Sequence, residues 1–144
     1  MERPQLNTIV EVDAQKLKVL FSHENKRIHC AVVPILRDFL SHELGRAVEV
    51  VSRYTAWETL YTATDNVFDL VILSHDYHSS DLPATELLKQ IKKLDHSIPI
   101  VQFNSQGKQP IENLDGVLKF PKTRQELRSL TQFFRGAESV RKRG

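Results

Sequence analysis

A single cysteine, Cys30, is all this sequence carries, so no internal disulfide can staple the fold. A reducing compartment, the cytoplasm, is therefore expected. No apolar run approaches the ~20 residues that a membrane-spanning helix requires. No basic-then-apolar leader with a small-residue cleavage site opens the chain, so neither a membrane span nor secretion is expected. Excess charge is scarce too. Twenty Lys and Arg against 18 Asp and Glu leave a net charge of +2, too little to draw in nucleic acid by itself. The one charge run, Arg141, Lys142 and Arg143, reads as a solvated tail or linker.

What remains is the composition of an ordinary globular protein, 40% apolar and 26% charged over 144 residues, enough for one core. Five β-rich runs occur, at 17–21 (LKVLF), 48–52 (VEVVS), 69–73 (DLVIL), 98–103 (IPIVQF) and 116–120 (GVLKF). The third and fourth are apolar at nearly every position, as strands covered on both faces must be. Helical patterns fill the gaps. From Ile28 to Leu44 an apolar stripe of 3.6-residue period runs up to Gly45, with Pro34 inside it, which either bends one helix or begins a second. Trp57, Leu60 and Tyr61 follow Thr55 as N-cap; Leu87, Leu88, Ile91 and Leu94 follow "SSDLPATE". Leu127, Leu130, Phe133 and Phe134 follow Thr123, with Glu126 completing a capping box. Cys30 and Trp57 are expected to pack on helix faces.

Strict β/α alternation predicts a parallel sheet with helices on both faces, and a functional crevice beyond the carboxyl ends of the strands. Residues 74–81, "SHDYHSSD", fall there. Successive residues leaving a strand point to opposite sides, so Ser74, His75 and Asp76 do not form a triad among themselves, and no G-x-S-x-G elbow accompanies them. His75 and His78, three apart, read as loop histidines and not as a metal site. The expected organisation is a lead-in over 1–16, in which "NTIVEV" is an added strand or a disordered arm, a domain over 17–135, and a basic tail over 136–144.

The order of elements, with "KVLFSHEN", "DLVILS", "SIPIVQFNS" and "GVLKFPKTRQEL", resembles the receiver domain of bacterial response regulators. The resemblance implies a flavodoxin-like (CheY-like) α/β three-layer sandwich with a five-stranded parallel sheet of order 2-1-3-4-5. In a working receiver an aspartate ending the third strand accepts a phosphoryl group, and an acidic pair after the first strand holds Mg²⁺. A Thr or Ser ends the fourth strand, and a Lys precedes a Pro after the fifth. Carried over, the acceptor position falls on Ser74, the acidic pair on His23 and Glu24, the hydroxyl on Asn104, and the lysine on Phe120, with Pro121 fixing that register. A serine is a weak nucleophile without a base and offers no anionic oxygen to a hard cation. His23 removes one carboxylate, and Phe120 removes the cation that would clamp phosphoryl oxygens.

The resemblance therefore implies a degenerate member, a pseudo-receiver that signals through protein contacts without phosphorylation, uses no cofactor or metal, and is not an enzyme. "NSQGKQPIENLD" is too short for a regular fourth helix, so a shortened or irregular segment is expected. Lys119, Pro121, Lys122, Arg128 and Phe134 are the candidate contact residues. The expected partner is another protein, an output domain in a longer chain, or a second copy; nucleic acid would be reached only through an appended domain. Two other readings stand beside this one: a small-ligand or metal sensor in the former phosphorylation pocket, and a hydrolase in which His23 activates Ser74.

Overall fold

All five strands form, and they pair in parallel in one sheet. They are β1 (Leu17–Ser22), β2 (Val48–Arg53), β3 (Leu70–Ser74), β4 (Ile100–Phe103) and β5 (Gly116–Leu118), in the spatial order β2-β1-β3-β4-β5. The computed structural model describes residues 16–74, 77, 82–103, 114–118 and 127–133. Among these, three α-helices connect the strands: α1 (Lys26–Leu44), α2 (Ala56–Asp65) and α3 (Ala84–Leu94); a 3₁₀ turn covers Ser129–Phe133. The result is the flavodoxin-like three-layer arrangement, with chain order reversing between β1 and β3.

Side-chain alternation along the strands divides the core into two halves. Leu17, Val19 and Phe21 of β1, Leu70 and Ile72 of β3, and Val101 and Phe103 of β4 face α1 and the buried Leu127 and Leu130. Leu20, Val71, Leu73 and Ile100 face α2 and α3, where Phe68, Leu87, Leu88 and Ile91 complete the opposite layer. Each fully buried Leu, Ile or Phe contributes about 1.5–3 kcal/mol, so these two layers supply most of the cohesion. Β3 is buried along its whole length, as its uninterrupted apolar run requires.

Local chemistry sets the helix ends. Asn25 caps α1, its Oδ1 accepting from Arg27 N at 2.8 Å. Gly45 ends the helix at φ 62°, the left-handed position that glycine takes without a Cβ penalty. Pro34 lies inside one continuous helix of 19 residues, on its solvent side, so no second helix begins there. Thr55 and Glu58 form a reciprocal capping box on α2.

Helix α2 corrects the sequence reading in one respect. Its apolar residues Trp57 and Tyr61 face solvent, 42% and 63% exposed, with their rings 6.1 Å apart. Ala56, Thr59 and Thr62 are buried in their place. The rotation follows from hydroxyl chemistry: Thr62 accepts from Arg53 Nε at 2.7 Å, and Thr59 enters the polar cluster described below. Cys30 is likewise exposed on α1 and does not pack. The C-terminal stripe forms a 3₁₀ turn, with Leu127 and Leu130 buried as expected. The segment 104–113, the cap at Thr123 and Glu126, the lead-in up to residue 15 and the tail lie outside the described residues. No described helix is long and apolar enough to cross a membrane.

Candidate functional site

At the carboxyl end of the sheet, β1 finishes on Ser22 and β3 on Ser74, both buried. Ser22 continues the alternation of Leu20 and so points toward α2, where a hydroxyl would be costly without partners. It has two. Ser22 Oγ lies 2.5 Å from Thr59 Oγ1 and 2.6 Å from the Tyr77 hydroxyl. The Tyr77 oxygen also receives the Ser74 backbone N–H at 3.2 Å, and the Thr59 hydroxyl donates to the Thr55 carbonyl at 2.7 Å.

Proton counting fixes the direction of this relay. Thr59 has one hydroxyl proton, which goes to Thr55, so Ser22 donates to Thr59. The Ser22 proton is then used, so Tyr77 donates to Ser22 and accepts from Ser74 N–H. Every hydroxyl gives once and receives, and the chain ends on a backbone carbonyl. Burial pushes the Tyr77 phenol well above its usual range, and the nearby Glu24 charge adds to the shift, while hydrogen bonds to Ser22 and Ser74 oppose it. Tyr77 is therefore a neutral hydrogen-bonded plug at this rim.

His23 and Glu24 follow β1 directly, both half-buried. The His23 ring reaches across to meet Phe103 of β4 edge-on, with centroids 5.5 Å apart. Its Nδ1 accepts the Asn25 backbone N–H at 3.0 Å. A neutral imidazole has one unprotonated nitrogen, and here that lone pair is engaged, which weighs against His23 as a general base for Ser74.

Beneath it His29, buried on α1, donates from Nε2 to the His23 carbonyl at 2.7 Å and packs edge-on against Phe21 at 5.0 Å. Burial holds the His29 imidazole below its ordinary value, and hydrogen bonds with the backbone of His23 and Arg53 oppose this more weakly. A histidine whose folded-state value is depressed stabilises the fold fully above its unfolded value near 6.5. That stability is lost as pH falls through 6.5 toward the folded value. Melting temperature is thus expected to fall on acidification from about pH 7.5 to 5.5, and the fall should be shallower in His29→Gln. Identical pH profiles in the two proteins would assign the acid sensitivity elsewhere.

Of the residues singled out in the sequence, the structure brings Ser74, His23 and Glu24 to this one rim, while Arg128 lies away from it, exposed, with Nε 3.2 Å from Glu43 Oε1. Asn104, Lys119, Phe120, Pro121, Lys122 and Phe134, with His75, Asp76 and His78, lie outside the described residues. Sequence reasoning missed Ser22, Thr59, Tyr77 and His29. Tyr77 alone carried a visible signal, as the one aromatic within the polar string after β3.

Comparison with solved structures identifies the arrangement. The receiver domain of a sensor histidine kinase from Pseudomonas aeruginosa, which holds magnesium in its active-site cleft, superposes with a TM-score of 0.64 at 15% identity, over 83% of this chain and 97% of that one. The fold is that of the CheY-like receivers. Chemotaxis protein CheY4 of Vibrio cholerae matches with a TM-score of 0.63 at 20% identity, over 83% and 98% of the two chains. NtrX of Brucella abortus, in complex with ATP, matches at 0.67 and 20% identity over 87% of this chain but only 28% of its own length. No protein-family model and no curated protein matches the sequence.

Against the receiver fold, the described rim residues are poor in ligands for a magnesium ion. Mg²⁺ demands hard oxygen ligands. Of the described residues leaving the ends of β1, β3 and β4, only Glu24 offers a carboxylate. Ser74 supplies a neutral oxygen, and His23 is turned to Phe103 and Asn25. Among the described residues no three His, Cys, Asp or Glu side chains gather into a ligand set.

Proposed function

We propose that this chain is a pseudo-receiver, a signal-transduction module of the cytoplasm that keeps the receiver scaffold and works through protein contacts without being phosphorylated. The observation that carries the reading is the plugged rim. Where the fold's acceptor carboxylate would end β3 stands buried Ser74, whose N–H is held by Tyr77 in a hydrogen-bonded chain running through Ser22 to α2. A neutral, internally satisfied cluster has no charge to offer a phosphoryl group or its cation. In the sequence resemblance, His23, Asn104 and Phe120 fall at the positions of the second carboxylate, the hydroxyl and the lysine of a working receiver.

Output then depends on surface shape. The contact surface is assigned to Lys119, Pro121, Lys122, Arg128 and Phe134. Of these, Arg128 is held, among the described residues, by an exposed ion pair to Glu43, which in water contributes little and leaves the guanidinium available to a partner. NtrX, of which the matched part is 28%, illustrates such a domain within a longer chain, and an output domain joined to this module would fit that plan. Incubation with acetyl phosphate and Mg²⁺, read by intact mass, tests the reading: no phosphoryl adduct is expected.

A further inference from the structure

The end of α3 carries a basic cleft far from the rim's chemistry. Leu88, Lys89, Lys92, Lys93 and His96 line a surface cavity of about 380 Å³. Leu88 is buried at its floor, while Lys89, Lys93 and His96 are exposed. Lys92 is committed: its Nζ donates to the Ile98 carbonyl at 2.7 Å and to Asp115 Oδ2 at 2.9 Å. The same Asp115 oxygen accepts the Ile100 N–H at 2.8 Å, so that carboxylate serves the start of β4. Asp95, just past the helix, accepts from the backbone N–H and hydroxyl of Ser97. Among the described residues, Lys89 and Lys93 meet no carboxylate.

Helix polarity explains only part of this. Cations in a last turn are favoured by the helix dipole, which covers Lys92 and Lys93. It does not cover Lys89, in the middle of the helix, or His96 beyond it. Lys89 and Lys93 stand four apart, a like-charge spacing that destabilises a helix. With Lys92 one turn from Lys89, three ammonium groups share one face, and among the described residues only Lys92 meets a carboxylate.

We propose that this cleft docks an acidic segment of a partner protein. Carboxylates about 6 Å apart, four residues of helical rise, would pair with Lys89 and Lys93. An aliphatic side chain beside them would settle over Leu88 and the apolar lysine stems. Nucleic acid fits this surface less well: the lining holds no Phe, Tyr or Trp ring on which a base could stack. The charge is also confined to the end of one helix in a chain whose net charge is only +2. Docking here does not depend on whether the rim can accept a phosphoryl group.

The test is titration of the ¹⁵N-labelled full chain with an acetylated, amidated peptide EELLEELLEE, beside its uncharged counterpart QQLLQQLLQQ and a single-stranded oligothymidylate. The acidic peptide is expected to shift the amides of residues 88–96 and to lose about tenfold or more in affinity against Lys89→Glu/Lys93→Glu. The milder Lys89→Ala/Lys93→Ala is expected to weaken binding in the same direction, and the uncharged peptide to leave these amides in place. Unmoved amides at 88–96, equal binding by either double variant, equal binding of the uncharged peptide, or tighter binding of the oligonucleotide at this cleft would each overturn the proposal.

Discussion

Replacing Tyr77 with Phe is expected to lower the free energy of unfolding by about 1–3 kcal/mol although only one oxygen is lost. The ring still fills its place among Leu73, Leu82 and Leu87 in the α2–α3 layer, so packing changes little. What changes is the buried Ser74 N–H, which loses the Tyr77 oxygen, and Ser22, which loses the hydrogen bond it received. Ser22→Ala strands the Tyr77 proton instead and should cost a similar amount, about 1–3 kcal/mol. Because both substitutions break the same Tyr77–Ser22 link, the double variant is expected to be less destabilised than the sum, by roughly 0.5–3 kcal/mol. Urea unfolding of the four proteins closes this cycle. Strict additivity would mean that the two hydroxyls do not communicate, and the relay would have to be abandoned.

The second large effect has the opposite sign. Gln102 lies on β4 between the two apolar positions Val101 and Phe103 and is fully buried, on the side facing Leu73 and Val117 in the sheet register. Among the described residues, neither its amide nitrogen nor its oxygen has a hydrogen-bond partner. A buried amide without partners carries a desolvation penalty of about 1–3 kcal/mol by mutational measures. Gln102→Met keeps the length of the side chain and removes both polar atoms, so unfolding free energy is expected to rise by about 1–3 kcal/mol. A loss of stability in the methionine variant would show that the amide is paired in solution.

Much of this architecture was legible in the residues. The β/α alternation and the doubly apolar third and fourth runs gave a parallel sheet covered on both faces, and they hold in the structure. Capping chemistry was readable because it is local: Thr55 and Gly45 act within one turn of their helices. The relay was not readable, because its links join residues 37 and 55 positions apart, on β1, α2 and the loop after β3. Nothing in the local pattern says that Ser22 points inward at the height of Thr59.

Helix α2 failed for a related reason. A stripe built on Trp57, Leu60 and Tyr61 is the better hydrophobic face, yet the helix buries Ala56, Thr59 and Thr62. Threonine hydroxyls with partners at 2.5 and 2.7 Å made the smaller face admissible in the interior. Small residues there let the helix lie close to β1 and β2, and the large rings are left outside. His29 was hidden in the same way: its place on the α1 stripe says "inside", but its acceptor is the His23 carbonyl beyond the helix.

The most direct measurement is the intact mass of the chain after incubation with acetyl phosphate and Mg²⁺, with hydroxylamine treatment as the probe for an acyl phosphate. A rim built from Ser74, His23 and the neutral Tyr77 relay predicts the unmodified mass at all donor concentrations. A hydroxylamine-sensitive phosphoryl adduct that forms only with Mg²⁺ would contradict it, because a carboxylate and a bound cation would then be working at the end of β3.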